Sequence, residues 1–324
     1  MYDAVIAPFV EFGFMRRALV GCLALSLGAT PIGVFLTLRR MSLAGDAMAH
    51  AILPGAAFGY LVAGLSLGAM TLGGVIAGVA VAMLSGLAAR TTVAREDSSL
   101  AAFSLISLAV GVVIVSTRGS NVDLLHILFG TVLALNDAAI FLVSGIATVT
   151  LFGLAIIYRP LVMECFDPGF LRSVSPLSPV AHYSFLVLTV LNLVGGFHAL
   201  GTLMAVGIMI LPAAAARFWT RDVTPLVVIG VIAAFLGGFV GLLLSYYASL
   251  PSGPAIILTA GAFYLFSLSF GPDGVIMTRL TVRWKSRSAG EAEPLWPKTR
   301  RATESHPAIR RGRATQYFDR KGRP

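Results

Sequence analysis

The chain has 324 residues, of which 57% are hydrophobic and only 12% charged, with a mean hydropathy of +0.86. Soluble domains are about a quarter charged, so this composition excludes one and indicates an integral membrane protein that spans by helices. The net charge of +9 sits at one end: residues 279–324 hold 13 of the 24 Lys and Arg and 4 of the 15 Asp and Glu, leaving 11 of each sign before them.

The membrane body is therefore neutral, and it offers no basic footprint for a nucleic acid. Two cysteines, Cys22 in an apolar span and Cys165 in a predicted loop, support neither a disulfide framework nor a Cys-rich metal site. No basic n-region precedes the first apolar stretch, so no cleaved signal peptide is expected.

Taken in order, residues 1–17 mix aromatic and charged residues and read as a short interfacial helix. Ala18–Leu38 is uncharged over 21 residues, enough to cross a bilayer, with Pro31 as a candidate kink and Arg39-Arg40 as the stop. The 39 uncharged residues of Ala51–Ala89 suit two spans divided near Gly64–Gly68. After the polar loop Arg90–Ser99, Leu100–Thr117 gives a fourth span. Residues 118–137, with Arg118, Asp123, His126 and Asp137, are too polar for lipid and read as a re-entrant or extracytoplasmic segment.

Ala138–Tyr158 is a fifth span, and Arg159–His182 a polar, Pro-containing connection. Tyr183–Ala216 reads as two short spans with a break, and Val223–Pro272 as two more separated at Ser249–Pro254. The expected architecture is an all-α polytopic bundle of eight or nine spans over residues 18–278, followed by a basic cytoplasmic tail at 279–324 that is disordered or touches anionic lipid. Nine spans with an inner C-terminus place 21 Lys and Arg inside against 3 outside, or 8 against 3 without the tail, as the positive-inside rule requires.

The chemistry concentrates at Asp46 and His50, four residues apart at the head of an apolar run. On a helix they share a face about 6 Å apart along the axis, and ionisable groups at membrane depth mark functional sites by default. Carboxylate oxygen with imidazole nitrogen suits zinc, manganese or iron. Pro54 cannot donate to the carbonyl of His50, which adds an acceptor beside the imidazole. The plainer alternative is a first-turn aspartate favoured by the helix dipole with a packed histidine beside it. Two ligands do not close a metal site, which suits passage better than storage.

His198, among Gly195, Gly196 and Gly201, reads as lying in a helix break, lining a cavity or merely buried. Asp123 and His126 could meet on one face, or form a loop salt bridge or cap. Gly201–Arg217 is dense in small residues, which lets helices approach closely. Arg159–Arg172 reads as a short amphipathic helix offered to a cytosolic partner, or as a surface loop.

Three stretches in this order resemble the membrane permease of ATP-binding-cassette importers for zinc, manganese and iron: Arg39–Gly59 with its Gly-Asp-Ala-x-x-His core, Phe166-Asp167-Pro168, and Gly201–Arg217 ending Leu-Pro-Ala-Ala-Ala-Ala-Arg. The resemblance, with matching span spacing, covers roughly residues 14–272. It implies a permease subunit of the bacterial inner membrane with a cytoplasmic C-terminus. A second permease subunit, two ATPase subunits and a periplasmic or lipid-anchored metal-binding protein would be its partners.

It further implies that Asp46 and His50 line the metal path, with His198 a weaker candidate, and that Phe166, Asp167 and Pro168 form the coupling contact with the ATPase. Gly169 stands where such permeases often carry an acidic residue, and the long basic tail departs from the pattern. The ion, zinc first with manganese or iron as alternatives, would be cargo, and no permanent cofactor is expected. The chain has no phosphate loop of the Gly-x-x-x-x-Gly-Lys-Ser/Thr type, so a partner must supply the energy and the chain itself is not expected to be an enzyme. Alternatives are a permease for a metal chelate or cobalamin, and an intramembrane metal-dependent hydrolase, although no His-Glu-x-x-His occurs.

Overall fold

The computed structural model describes residues 5–64, 66–117, 135–166 and 177–277. Ten helices order these residues: α1 (Ala7–Glu11), α2 (Gly13–Leu38), α3 (Ser42–Ala63), α4 (Leu67–Thr91), α5 (Glu96–Thr117), α6 (Asp137–Phe166), α7 (Leu177–Leu200), α8 (Thr202–Ala216), α9 (Val223–Ala248) and α10 (Ser252–Phe270). After the single turn of α1, nine helices run alternately between two ends of a bundle. Seven of the candidate spans are long and apolar enough to cross a membrane by themselves. The exceptions are α8, which is short, and α3, whose Asp46, His50 and Pro54 interrupt its apolar sequence.

Packing levels fix the directions. Gly55 of α3 meets Gly73 of α4, and Gly59 meets Ala69, so these two run antiparallel. Ser107 of α5 donates to the carbonyl of Ala51 at 3.1 Å, while Gly111 abuts Pro54, so α3 and α5 run parallel. The most buried spans are α2 (78% of its apolar window) and α7 (72%), against 22% for α4 and α5. The first two form the middle of the bundle and the others its lipid-facing side.

Two close approaches show what small residues contribute. A Cβ on Gly33 would fall onto the backbone carbonyl of Met209, and one on Gly55 onto that of Gly73. With no hydrophobic drive between helices in lipid, such backbone proximity is how membrane helices gain contact.

The expected breaks near Gly64 and at Gly201 are present, each at a positive φ (65° and 86°) that glycine adopts without a Cβ clash. Other boundaries move. The first span begins at Gly13, so Arg16 and Arg17 belong to α2, and Arg17 pairs with Asp137 at the head of α6 at 3.0 Å. Pro31 lies inside α2 without ending it. The expected connection Arg159–His182 is shorter: α6 continues through Pro160 to Phe166, and α7 begins at Leu177. Residues 118–134, 167–176 and 278–324 lie outside the described residues, and with them Asp123, His126, Asp167, Pro168 and the tail.

The turn from α2 into α3 positions the polar pair. Met41 N–H donates to the carbonyl of Leu36 (2.9 Å) and Arg40 N–H to that of Thr37 (3.2 Å), a Schellman arrangement whose left-handed position usually takes glycine. Here it is the exposed Arg40, at φ 59°. Arg40→Gly removes a Cβ clash worth about 1–2 kcal/mol and costs unfolded-state entropy in return. We expect a net gain of about 1 kcal/mol, read as a higher midpoint of thermal unfolding in detergent; a lower midpoint would contradict the strain.

Candidate functional site

Asp46 and His50 stand about 6 and 12 Å along α3 from Ser42, near the end of the bundle that gathers Arg39, Arg90 and Arg217. Their facing atoms, Asp46 Oδ2 and His50 Nε2, are 3.8 Å apart. Two metal bonds of about 2.1 Å each can bridge that gap. The side chains are 63% and 38% exposed. They belong to one stripe of α3, Leu43, Asp46, Ala47, His50, Leu53 and Ala57, none of which is buried, whereas Ala44, Met48, Ala51 and Ile52 on the other face are. The pair thus points away from its own bundle. His50 Nδ1 is itself shielded, and among the described residues neither ring nitrogen has a hydrogen-bond partner.

A charged residue on the lipid side of a span is costly and rare. A carboxylate and an imidazole on an outward stripe therefore call for cover from beyond the described residues. Among the described residues, no cluster of three or more His, Cys, Asp or Glu could hold a metal ion.

His198 is not in the break itself. It occupies the last turn of α7, just before Gly201. Its ring meets Phe197 edge-on at 5.2 Å, and its Nε2 is buried without a partner among the described residues. Val194 packs at the level of Gly74 and Ile52, so His198 lies a turn further from the basic end than Ile52, and the structure does not bring it to the Asp46–His50 pair. Gly195 and Gly196 continue the helix because they serve packing: a Cβ on them would meet Ile146 and Ala205. Phe166 ends α6 at 72% exposure.

Sequence reading alone missed a buried ionic network at the basic end. Arg39, just past α2, pairs with Glu164 in the last turn of α6 at 2.5 Å; both side chains are almost fully buried, at 7% and 4% exposure. His182 of α7 lies 3.2 Å from Arg39 through Nδ1 and 3.6 Å from Glu164. Its Nε2 reaches Glu96, the first residue of α5, at 2.9 Å. The Arg39 guanidinium also covers the Phe185 ring at 4.9 Å. Removing one partner of such a pair strands a buried charge, at about 3–5 kcal/mol. The available signal was Glu164 itself, a lone acid in the apolar run Leu161–Phe166.

A family model described as the ABC 3 transport family matches residues 11–271. The manganese import system permease protein ScaB of Streptococcus parasanguinis is 29% identical over 272 residues, covering 84% of this chain and 96% of that protein. The "Probable iron transport system membrane protein" of Haemophilus influenzae is 29% identical over 272 residues, covering 83% and 98%. Among solved structures, PsaBC from Streptococcus pneumoniae in complex with Fab superposes with a TM-score of 0.75 at 28% identity, covering 87% of this chain and all of that one.

Proposed function

The chain belongs to the ABC 3 transport family, and from that premise we propose that it is the membrane permease subunit of an ATP-driven importer for a divalent transition-metal ion. The observation that carries this reading is the Asp46–His50 pair on the outward stripe of α3. One hard oxygen donor and one imidazole nitrogen accept manganese, ferrous iron or zinc. A second copy of the permease, docked by a twofold axis on α3, would add a second pair and cover both. Four donors gathered from two separable subunits bind an ion and can let it go.

The cargo is manganese, with ferrous iron the alternative. Zinc was expected first, with manganese or iron as alternatives, but similar proteins such as ScaB are named for manganese, and the Haemophilus influenzae relative for iron. Energy comes from partner ATPase subunits on the basic, cytoplasmic side, reached through the Phe166-Asp167-Pro168 connection. A metal-binding protein delivers the ion at the opposite face.

The test is reconstitution of the permease with its ATPase and binding-protein partners in proteoliposomes. Manganese should accumulate only with ATP present, ferrous iron should compete, and zinc should compete less well. Failure to accumulate any of the three ions would overturn the reading.

A further inference from the structure

We propose that Arg39, Glu96, Glu164 and His182 are positioning residues that carry displacement of the α6–α7 connection to the metal-path helix α3. The proposal rests on the importer reading above. Glu164 stands two residues before Phe166, where α6 ends, and His182 five residues after Leu177, where α7 begins. The two chain ends that flank the connection are thus both held in one ionic knot. Arg39, the third member, begins the turn that leads through Arg40 and Met41 into α3, four helical positions before Asp46. Glu96 anchors the knot to α5, which packs directly on α3 through Ser107 and Ala51.

The geometry suits a joint. Arg39 forms an ion pair with Glu164 at 2.5 Å and lies 3.2 Å from His182, while its guanidinium covers Phe185. It thus has a neighbour on three sides, although its Nε and Nη2 make no hydrogen bond among the described residues. Push applied to the end of α6 or the start of α7 is passed on as displacement of Arg39. The turn after Arg39 is itself pinned, by Met41 N–H on Leu36 and by Arg217 Nη1 on the carbonyl of Thr37 at 3.1 Å. Displacement therefore moves the head of α3 as a piece.

A purely stabilising role would not need these residues, since an apolar pair of similar volume usually serves stability as well as a buried ion pair or better. That difference supplies the test. In proteoliposomes of the complete transporter, ATP hydrolysis and uptake of Mn2+ are measured together for wild type and for the double variant Arg39→Met/Glu164→Leu. It removes both charges at once and leaves Glu96 to pair with His182.

The double variant should assemble as wild type and keep ATP hydrolysis within about twofold, while manganese taken up per ATP falls about tenfold. A wild-type ratio would overturn the proposal. Should the double variant fail to assemble, Glu96→Gln decides, because it keeps the side chain's shape: a ratio lowered about threefold supports the joint, and an unchanged ratio overturns it. Asp46→Ala in the same assay separates the two readings. Its loss of uptake beside a normal double variant leaves the importer standing and removes the joint; its normal uptake removes the metal path, and with it the joint's destination.

Discussion

Asp46→Ala and His50→Ala are each expected to lower manganese uptake about a hundredfold or more, with the amount of assembled permease unchanged. On the importer reading proposed above, each variant takes away one of the two side-chain donors that α3 would offer to the ion, and even indirect support of a metal ligand is worth about 10–100-fold. The second half of the expectation follows from exposure. Asp46 is 63% exposed and its 3.8 Å approach to His50 is a loose one, so the fold has little invested in either side chain, and substitutions of this kind usually shift stability by no more than about 0.5 kcal/mol. Asp46→Asn sharpens the result, since it preserves shape and one oxygen while losing the charge that attracts a dication; it should resemble alanine more than wild type. Uptake in proteoliposomes, scaled to permease content, decides. Wild-type uptake by both alanine variants would remove the pair from the ion's path.

The second large effect concerns assembly alone. Gly33→Ala should destabilise the permease by about 2–3 kcal/mol or more, because the new methyl group meets the carbonyl of Met209, a backbone atom that no rotamer change can move aside. Separation of α2 from α8 would then loosen the most buried span of the bundle. Gly145→Ala is the matched control: nothing lies within 4 Å of its Cβ, and alanine in an open helical position is worth about 0.5–1 kcal/mol over glycine. The two variants should therefore shift the midpoint of thermal aggregation in detergent in opposite directions. Equal midpoints would mean that the α2–α8 contact is looser than the structure describes.

Much of the architecture was legible because it depends on features local in the chain. Long uncharged runs set the spans, and Gly64 and Gly201 set two of the breaks through backbone geometry that other residues resist. Asp46 and His50 were legible for the same reason: both lie on one helix, and four-residue spacing settles that they share a face. What that face looks out upon required the whole bundle.

The Arg39–Glu164–His182–Glu96 network was not legible, because its members come from four helix ends far apart in sequence and meet only once the registers of α2, α5, α6 and α7 are fixed. The same network explains the misjudged connection. Arg159 and Glu164 looked like loop residues because charges seldom continue a span, yet Arg39 neutralises Glu164 and lets α6 run on to Phe166. His198 was expected in a break because glycines surround it. Two of them, Gly195 and Gly196, admit neighbouring helices instead, and only Gly201 turns the chain.

The polar residues near the start of α3 bear on how the protein is made. An aspartate at the centre of a hydrophobic segment costs about 2.5–3.5 kcal/mol during insertion; Asp46, one turn into α3, costs less, but a histidine and a proline follow it. By length and composition α3 does not carry the uninterrupted apolar run of a span. Its successor α4 does, and follows after the short turn at Gly64. The close fit of Gly55 against Gly73 gives the two segments a ready way to pair, so that α3 can enter the lipid as half of a hairpin with α4.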